Sequence, residues 1–248
     1  MLGKREFLFF FCAFISETTL LYCQNNSRLN TCTQEELRLI TEGKFGLDDL
    51  LYNGLEYHPE NIRASGNSNF EWDNSLNSLL FVKGHAFKNA NLIYDINLDQ
   101  LILTKVQKNY LGPKIILNST YIDSFYLGNN LFINLLRINK DYKNKGYFEK
   151  IFAGNSMFLK KHKKRFVDSY DFHHPYGKFS PQTQYCFLYN NGNLIKVNSK
   201  KEFLGYYAIY KKKIRRFLHR NKIKYRKASN QELFKLMIYC EEISNQIN

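Results

Sequence analysis

A chain of 248 residues, 44% of them hydrophobic, is long enough to bury a large core and needs neither a disulfide framework nor a metal to fold. Aromatics reach 16%, with 18 Tyr and 21 Phe, a composition suited to pleated, half-buried surfaces. The formal charge of +14 favours polyanionic partners: nucleic acid, anionic lipid head groups or an acidic protein. The abundance of Asn, Lys and Ile also suggests an A/T-biased coding composition, which by itself makes a chain basic.

Residues 1–23 read as a secretory leader. Lys4 and Arg5 supply the positive start and Phe7 to Ile15 the apolar run, which Ser16-Glu-Thr-Thr19 ends before a bilayer is spanned. Cleavage is expected between Cys23 and Gln24, because a lipoprotein site wants a small residue where this chain has Tyr22. Loss of Lys4, Arg5, Glu6 and Glu17 leaves 34 basic against 20 acidic residues, still +14. The mature chain is therefore expected in the periplasm or at the cell envelope, and not as an integral membrane protein. Its cysteines, Cys32, Cys186 and Cys240, have no metal-like spacing and read best as small buried hydrophobes.

Thr33-Gln-Glu-Glu36 is a capping box that opens a short helix to about Ile40. Turn signals then crowd residues 42–77, with Phe70 and Trp72 expected as core anchors. From Leu79 the pattern becomes a train of strands at 79–83, 90–96, 101–106, 114–118, 121–127, 131–138, 147–152, 157–161, 184–189 and 194–197. Leu92, Tyr94 and Ile96 share one strand face, and the polar break at Asn97 to Gln100 makes a hairpin. Asn191-Gly192 between two apolar runs predicts a type I′ turn. No helical pattern separates the strands, which excludes parallel βαβ pairing and leaves an antiparallel meander folded as a sheet, sandwich or barrel-like core. Patchy apolar alternation and a helical C-terminus disfavour an outer-membrane barrel.

The period changes at Ser199. Ser199-Lys-Lys-Glu202 is a capping box, and Phe203, Tyr207, Tyr210, Ile214, Phe217 and Leu218 recur at three- and four-residue steps. Lys211, Lys212, Lys213, Arg215, Arg216 and Arg220 fill the opposite face. A second box, Ser229-Asn-Gln-Glu232, opens another helix with Leu233, Leu236, Met237, Cys240 and Ile243 on one side. The expected organisation is a leader (1–23), an antiparallel β domain with a short N-terminal helix (24–198), and a helical appendage packed on it (199–248).

Catalytic chemistry finds little to stand on. Asp171-Phe-His-His-Pro175 is the one cluster of metal-type ligands, but adjacent histidines in a strand face opposite ways and no third ligand lies near. There is no Gly-x-Ser-x-Gly elbow, no His-Glu-x-x-His and no Gly-rich phosphate loop. Asp95 and Asp99 are a carboxylate pair in which Asp99 reads as a turn residue. Two basic blocks remain as a candidate surface for an anionic partner: Lys160, Lys161, Lys163, Lys164 and Arg165, and Lys211, Lys212, Arg215 and Arg216.

In Asn53-Gly54-Leu-Glu-Tyr57, the hairpin from Leu92 to Ile102, Ser124-Phe125, Gly146-Tyr-Phe-Glu149 with Gly154 and Lys160, and Val197-Asn-Ser-Lys-Lys201, the chain resembles a loosely related group of uncharacterised exported proteins of Bacteroidota. That resemblance covers most of the mature chain. It implies export and an antiparallel β core, and it carries no activity. The reading is a non-enzymatic envelope protein that binds or scaffolds through its basic face, with an anionic envelope component or acidic protein as partner and neither nucleic acid nor cofactor expected. The alternative is an exported hydrolase-type enzyme whose site is dispersed over strands and loops.

Overall fold

The computed structural model describes residues 36–37, 40–41, 51, 53–60, 63–70, 78–107, 110–138 and 146–245. The chain divides into two compact units, 1–48 and 49–248. In the first, Glu36, Leu37, Ile40 and Thr41 are helical, as the capping box implies, and Thr41 Oγ1 donates to the Leu37 carbonyl at 2.7 Å. The leader, Cys32 and Trp72 lie outside the described residues.

The second unit is mainly β and wholly antiparallel in its ladders. A four-stranded sheet has the order β1 (Leu55–Glu56), β6 (Tyr110–Ile116), β5 (Gln100–Gln107), β4 (Leu92–Asp95). An open eight-stranded sheet runs β14 (Asn193–Lys196), β13 (Thr183–Asn190), β10 (Met157–Lys163), β9 (Tyr147–Ala153), β8 (Asn130–Asn134), β7 (Ile122–Leu127), β2 (Ser78–Val82), β3 (His85–Ala90). A small ribbon joins β11 (Phe166–Val167) and β12 (Lys178–Phe179). Asn191 and Gly192 both take positive φ, 45° and 82°, in the turn their types demand.

Two strand expectations need correction. The apolar run at 90–96 is not one strand: β3 ends at Ala90 in the large sheet and β4 begins at Leu92 in the small one. Asn89, at φ 56°, reaches the left-handed region that asparagine tolerates, and lets the chain cross between sheets. The run at 131–138 stops being a strand at Asn134, whose Oδ1 accepts from Leu136 N at 3.2 Å and starts helix α1 (Leu135–Ile138).

The inner face of the large sheet can be followed through its cross-strand partners. Phe87, Leu80, Phe125, Phe132, Glu149, Lys160 and Cys186 are successive neighbours across seven strands. The apolar half of that row packs against the four-stranded sheet. There Phe125 and Phe132 stack at 5.1 Å, and Tyr94 from β4 meets both edge-on at 5.7 and 5.3 Å. The other half is covered by helices α2 (Lys200–Tyr206), α3 (Lys211–Arg220) and α4 (Asn230–Asn245), which share a core with Phe152, Phe158 and Leu188. A bulge between β9 and β10 turns both Glu149 and Phe152 toward the helices, which strict alternation would forbid. The outer face carries a smaller cluster of Ile133, Leu135, Phe148 and Leu159.

Both C-terminal capping boxes form. Glu202 N donates to Ser199 Oγ and Glu232 N to Ser229 Oγ, each at 3.2 Å, and both glutamates accept in return from the serine amides. The apolar stripe expected of one helix is split between two. A 3₁₀ turn at Ala208–Tyr210 follows the weak helix former Gly205 and rephases the chain, so that Phe203 and Leu204 before it and Ile214 and Leu218 after it are all buried.

Candidate functional site

Where the two cores meet, the sheet carries charge. Glu149 is 3% exposed, Lys160 5% and His162 3%, so each must find its partner inside. Gln182 Nε2 donates to His162 Nδ1 at 3.0 Å, which fixes the ring proton on Nε2, and that nitrogen meets Glu149 Oε2 at 2.7 Å. Asn230, the first residue of α4, donates from Nδ2 to Glu149 Oε1 and accepts from Lys160 Nζ, both at 2.6 Å. One asparagine thus ties the start of the helix to both charges of the sheet. Burial holds the Lys160 ammonium below its usual range, with Glu149 opposing the shift, and burial pushes the neighbouring Cys186 thiol up.

This seam corrects part of the expected basic surface. Lys160 and Lys164 are buried; Lys164 Nζ donates to the Asn69 carbonyl at 2.8 Å. Lys161, on the other face, is spent on Asp99 at 2.7 Å and on the Tyr147 carbonyl at 3.0 Å. Only Lys163 and Arg165 of that block are exposed. The reason is alternation. Phe158 points into the core, so Lys160, His162 and Lys164 follow it inward.

The second block is where it was expected. Lys211, Lys212, Lys213, Arg215, Arg216 and Arg220 are all exposed, while Ile214 and Leu218 are buried beneath them and Phe217 stacks on Tyr239 at 4.2 Å. Lys200, Lys201, Lys222, Lys224, Arg226 and Lys227 are exposed around them. Residues 200–227 hold these 12 cations against one acidic residue, Glu202, a net +11 within a chain of +14. Among the described residues none of the six cations on α3 has a carboxylate at ion-pair distance.

Other candidates resolve as structural. Asp95 is 1% exposed and accepts from Tyr57 Oη, Ser68 Oγ and the amides of Asn97 and Leu98 at 2.7–3.0 Å, pinning the 57–70 segment to the hairpin. Asp171 caps the amides of His173 and His174 at 2.8 and 2.7 Å, and among the described residues no three His, Cys, Asp or Glu converge as a metal site. Cys186 and Cys240 are free thiols, and burial pushes that of Cys240 up to about 12. No described helix is long and apolar enough to cross a membrane.

Sequence reasoning missed the seam, although one signal existed: Glu149, Lys160 and His162 sit at inward positions of strands whose other inward residues are aromatic. No protein-family model matches this chain, and no curated protein or solved structure does.

Proposed function

We propose that this chain is an exported binding protein of the cell envelope, and that its helical layer holds an anionic envelope component through α3. The observation that carries this reading is the crowding of cations where they cost helix stability. Lys211, Lys212 and Lys213 fill the first turn of α3, the end that repels positive charge, and no acidic side chain stands there. Lys211 with Arg215, Lys212 with Arg216, and Arg216 with Arg220 are like-charge pairs four residues apart, each costing about 0.2–0.5 kcal/mol. An anionic surface laid against this face would relieve all of these terms at once. Its pull would decay over roughly 8–10 Å at physiological salt.

Co-sedimentation with phosphatidylglycerol vesicles and with lipopolysaccharide at low salt tests the reading, with phosphatidylcholine vesicles as control. Wild type should bind the anionic surfaces and release them as salt rises. Reversal of Lys211, Lys212, Arg215 and Arg216 to Glu should abolish binding with the fold intact. Absent binding at low salt, or binding that survives the reversal, rejects it.

The hydrolase reading has one observation in its favour, the Glu149–His162 contact between two clefts of about 350 and 410 Å³. Both side chains are nearly solvent-free, at 4% and 2%, and their polar atoms are already committed to each other, Asn230 and Gln182. The binding reading is therefore preferred.

A further inference from the structure

The loop between β11 and β12 exposes a cluster of aromatic rings. Tyr170 is 66% exposed, Phe172 95% and Tyr176 52%, three rings within seven residues. Single exposed apolar side chains are ordinary, but a cluster of them marks a contact surface.

The loop is fastened at several points. Asp171 and His174 exchange backbone hydrogen bonds at 3.3 and 3.1 Å, and Asp171 Oδ1 accepts from the amides of His173 and His174. His174 Nδ1 and Ser65 Oγ share a hydrogen bond at 2.9 Å, and the backbone of Ser65 pairs with Gly177 and Phe179 on the returning chain. Gly177, at φ 77°, lies where a Cβ would strike the Phe166 ring and the Val167 carbonyl. Phe172 is thus held out from the fold instead of lying back over it.

The order of the rings selects a bilayer over a protein partner. Phe172, with no polar atom, stands at the tip, and Tyr170 and Tyr176, whose hydroxyls need water, flank it. That gradient matches a membrane interface, where tyrosine sits at head-group level and phenylalanine goes deeper. Charge agrees. Lys163, Arg165 and Lys178 stand at the base of the loop, with Arg63 over the Tyr176 ring at 5.5 Å, against Asp168 and Asp171.

Position agrees as well. Asn155, before β10, donates to Asn245 at the end of α4 at 3.0 Å, and Lys160 donates to Asn230 at its start. β10 therefore runs against α4 and passes the start of that helix before it feeds the loop. The basic link with Lys222, Lys224, Arg226 and Lys227 enters α4 at this same end. Arg226 lines one cleft with Gln182 and Thr183, from the chain that leaves the loop.

Burial of one such ring changes partition by about ten- to a hundred-fold, too little to hold a protein alone. We propose that the 168–177 loop is a shallow bilayer anchor, which seats Phe172 at the edge of the lipid chains after the basic layer has captured an anionic membrane. The inference rests on attachment through α3.

The test uses phosphatidylglycerol vesicles at low salt, with and without bromine on the acyl chains. Phe172→Ala should weaken co-sedimentation about ten-fold and leave Tm unchanged. Leu55→Ala, which trims a side chain 79% exposed on β1, should leave binding as in wild type. Phe172→Trp should gain fluorescence that the brominated lipid quenches, beyond the quenching seen in wild type, whose one tryptophan is Trp72. Wild-type binding that Phe172→Ala does not weaken overturns the anchor, leaves the α3 reading standing, and returns the loop to a protein partner. Equal weakening by Leu55→Ala, no added quenching in Phe172→Trp, or a Tm lowered by Phe172→Ala overturns the anchor alone in the same way. Absence of wild-type binding overturns both.

Discussion

The two ends of the large sheet's inner face solve the same problem in opposite ways. Toward β2, β7 and β8 the row is Leu80, Phe125 and Phe132, closed by Tyr94 from the facing sheet; these rings need only shape and edge geometry. Toward β9 and β10 the row continues as Glu149 and Lys160 with His162 beside them, and there the lid is a helix whose first residue, Asn230, completes the hydrogen bonds. Loss of one member leaves a cavity in the aromatic core and a buried, unpaired charge in the seam. A ring can therefore be judged alone, whereas the charges of the seam can be removed at small cost only together.

The largest effects would come from breaking each end. Phe132→Ala should cost about 3–5 kcal/mol by urea unfolding, as a large buried ring lost from a dry core. Glu149→Ala should cost about as much, roughly 3–5 kcal/mol, by stranding Lys160 and His162. The ends then part. Glu149→Leu combined with Lys160→Met should recover most of the seam's loss, since a charge pair is replaceable by apolar volume. If the double substitution is worse than Glu149→Ala alone, the seam is doing something other than balancing charge.

A smaller effect sharpens the role of α4. Ser229→Ala removes the cap that presents Asn230 to the sheet and should cost about 1 kcal/mol. An unchanged Tm would mean that Asn230, not the cap, holds the helix start.

At the aromatic end, alkali supplies a selective probe. Burial and the Asp95 hydrogen bond raise the Tyr57 phenol from 10.0 to about 12. The folded state keeps this proton longer than the unfolded state, so the contribution is full below pH 10 and is lost as pH rises through about 12. Tyr57→Phe should flatten the fall in stability over that interval. Equal slopes for the two proteins would contradict the burial of Tyr57 against Asp95.

The smallest stability change should come from the basic layer. Lys211→Glu with Lys212→Glu places carboxylates at the helix start, each worth about 0.3–1 kcal/mol, and four residues before Arg215 and Arg216. This pair of changes should raise Tm slightly while weakening attachment to anionic vesicles.

What could be read in advance divides along range. The capping boxes at Ser199 and Ser229 and the turn at Asn191-Gly192 are local devices, carried by residues within four positions, and they appear as their chemistry demands. The exposed cations of α3 were legible too, because Ile214 and Leu218 fix which side turns inward. The Lys160–Arg165 run reads as surface by its charge, yet Phe158 sets the phase of alternation that buries Lys160 and Lys164. The partnership of Glu149 and His162 with Asn230 joins two strands to a helix. No periodicity within a segment encodes such meetings.

The most direct measurement of the central claim is lysine acylation of the full chain, read residue by residue by mass spectrometry with and without phosphatidylglycerol vesicles. Lys211, Lys212, Lys213, Lys222 and Lys224 are exposed on the helical layer, and Lys83 and Lys88 are exposed on the β2–β3 hairpin at the far edge of the large sheet. Vesicles should shield the first group at low salt, leave the second as reactive as in solution, and lose their effect at high salt. Shielding of Lys83 and Lys88 instead, or uniform reactivity throughout, would contradict the assignment of the helical layer as the binding face.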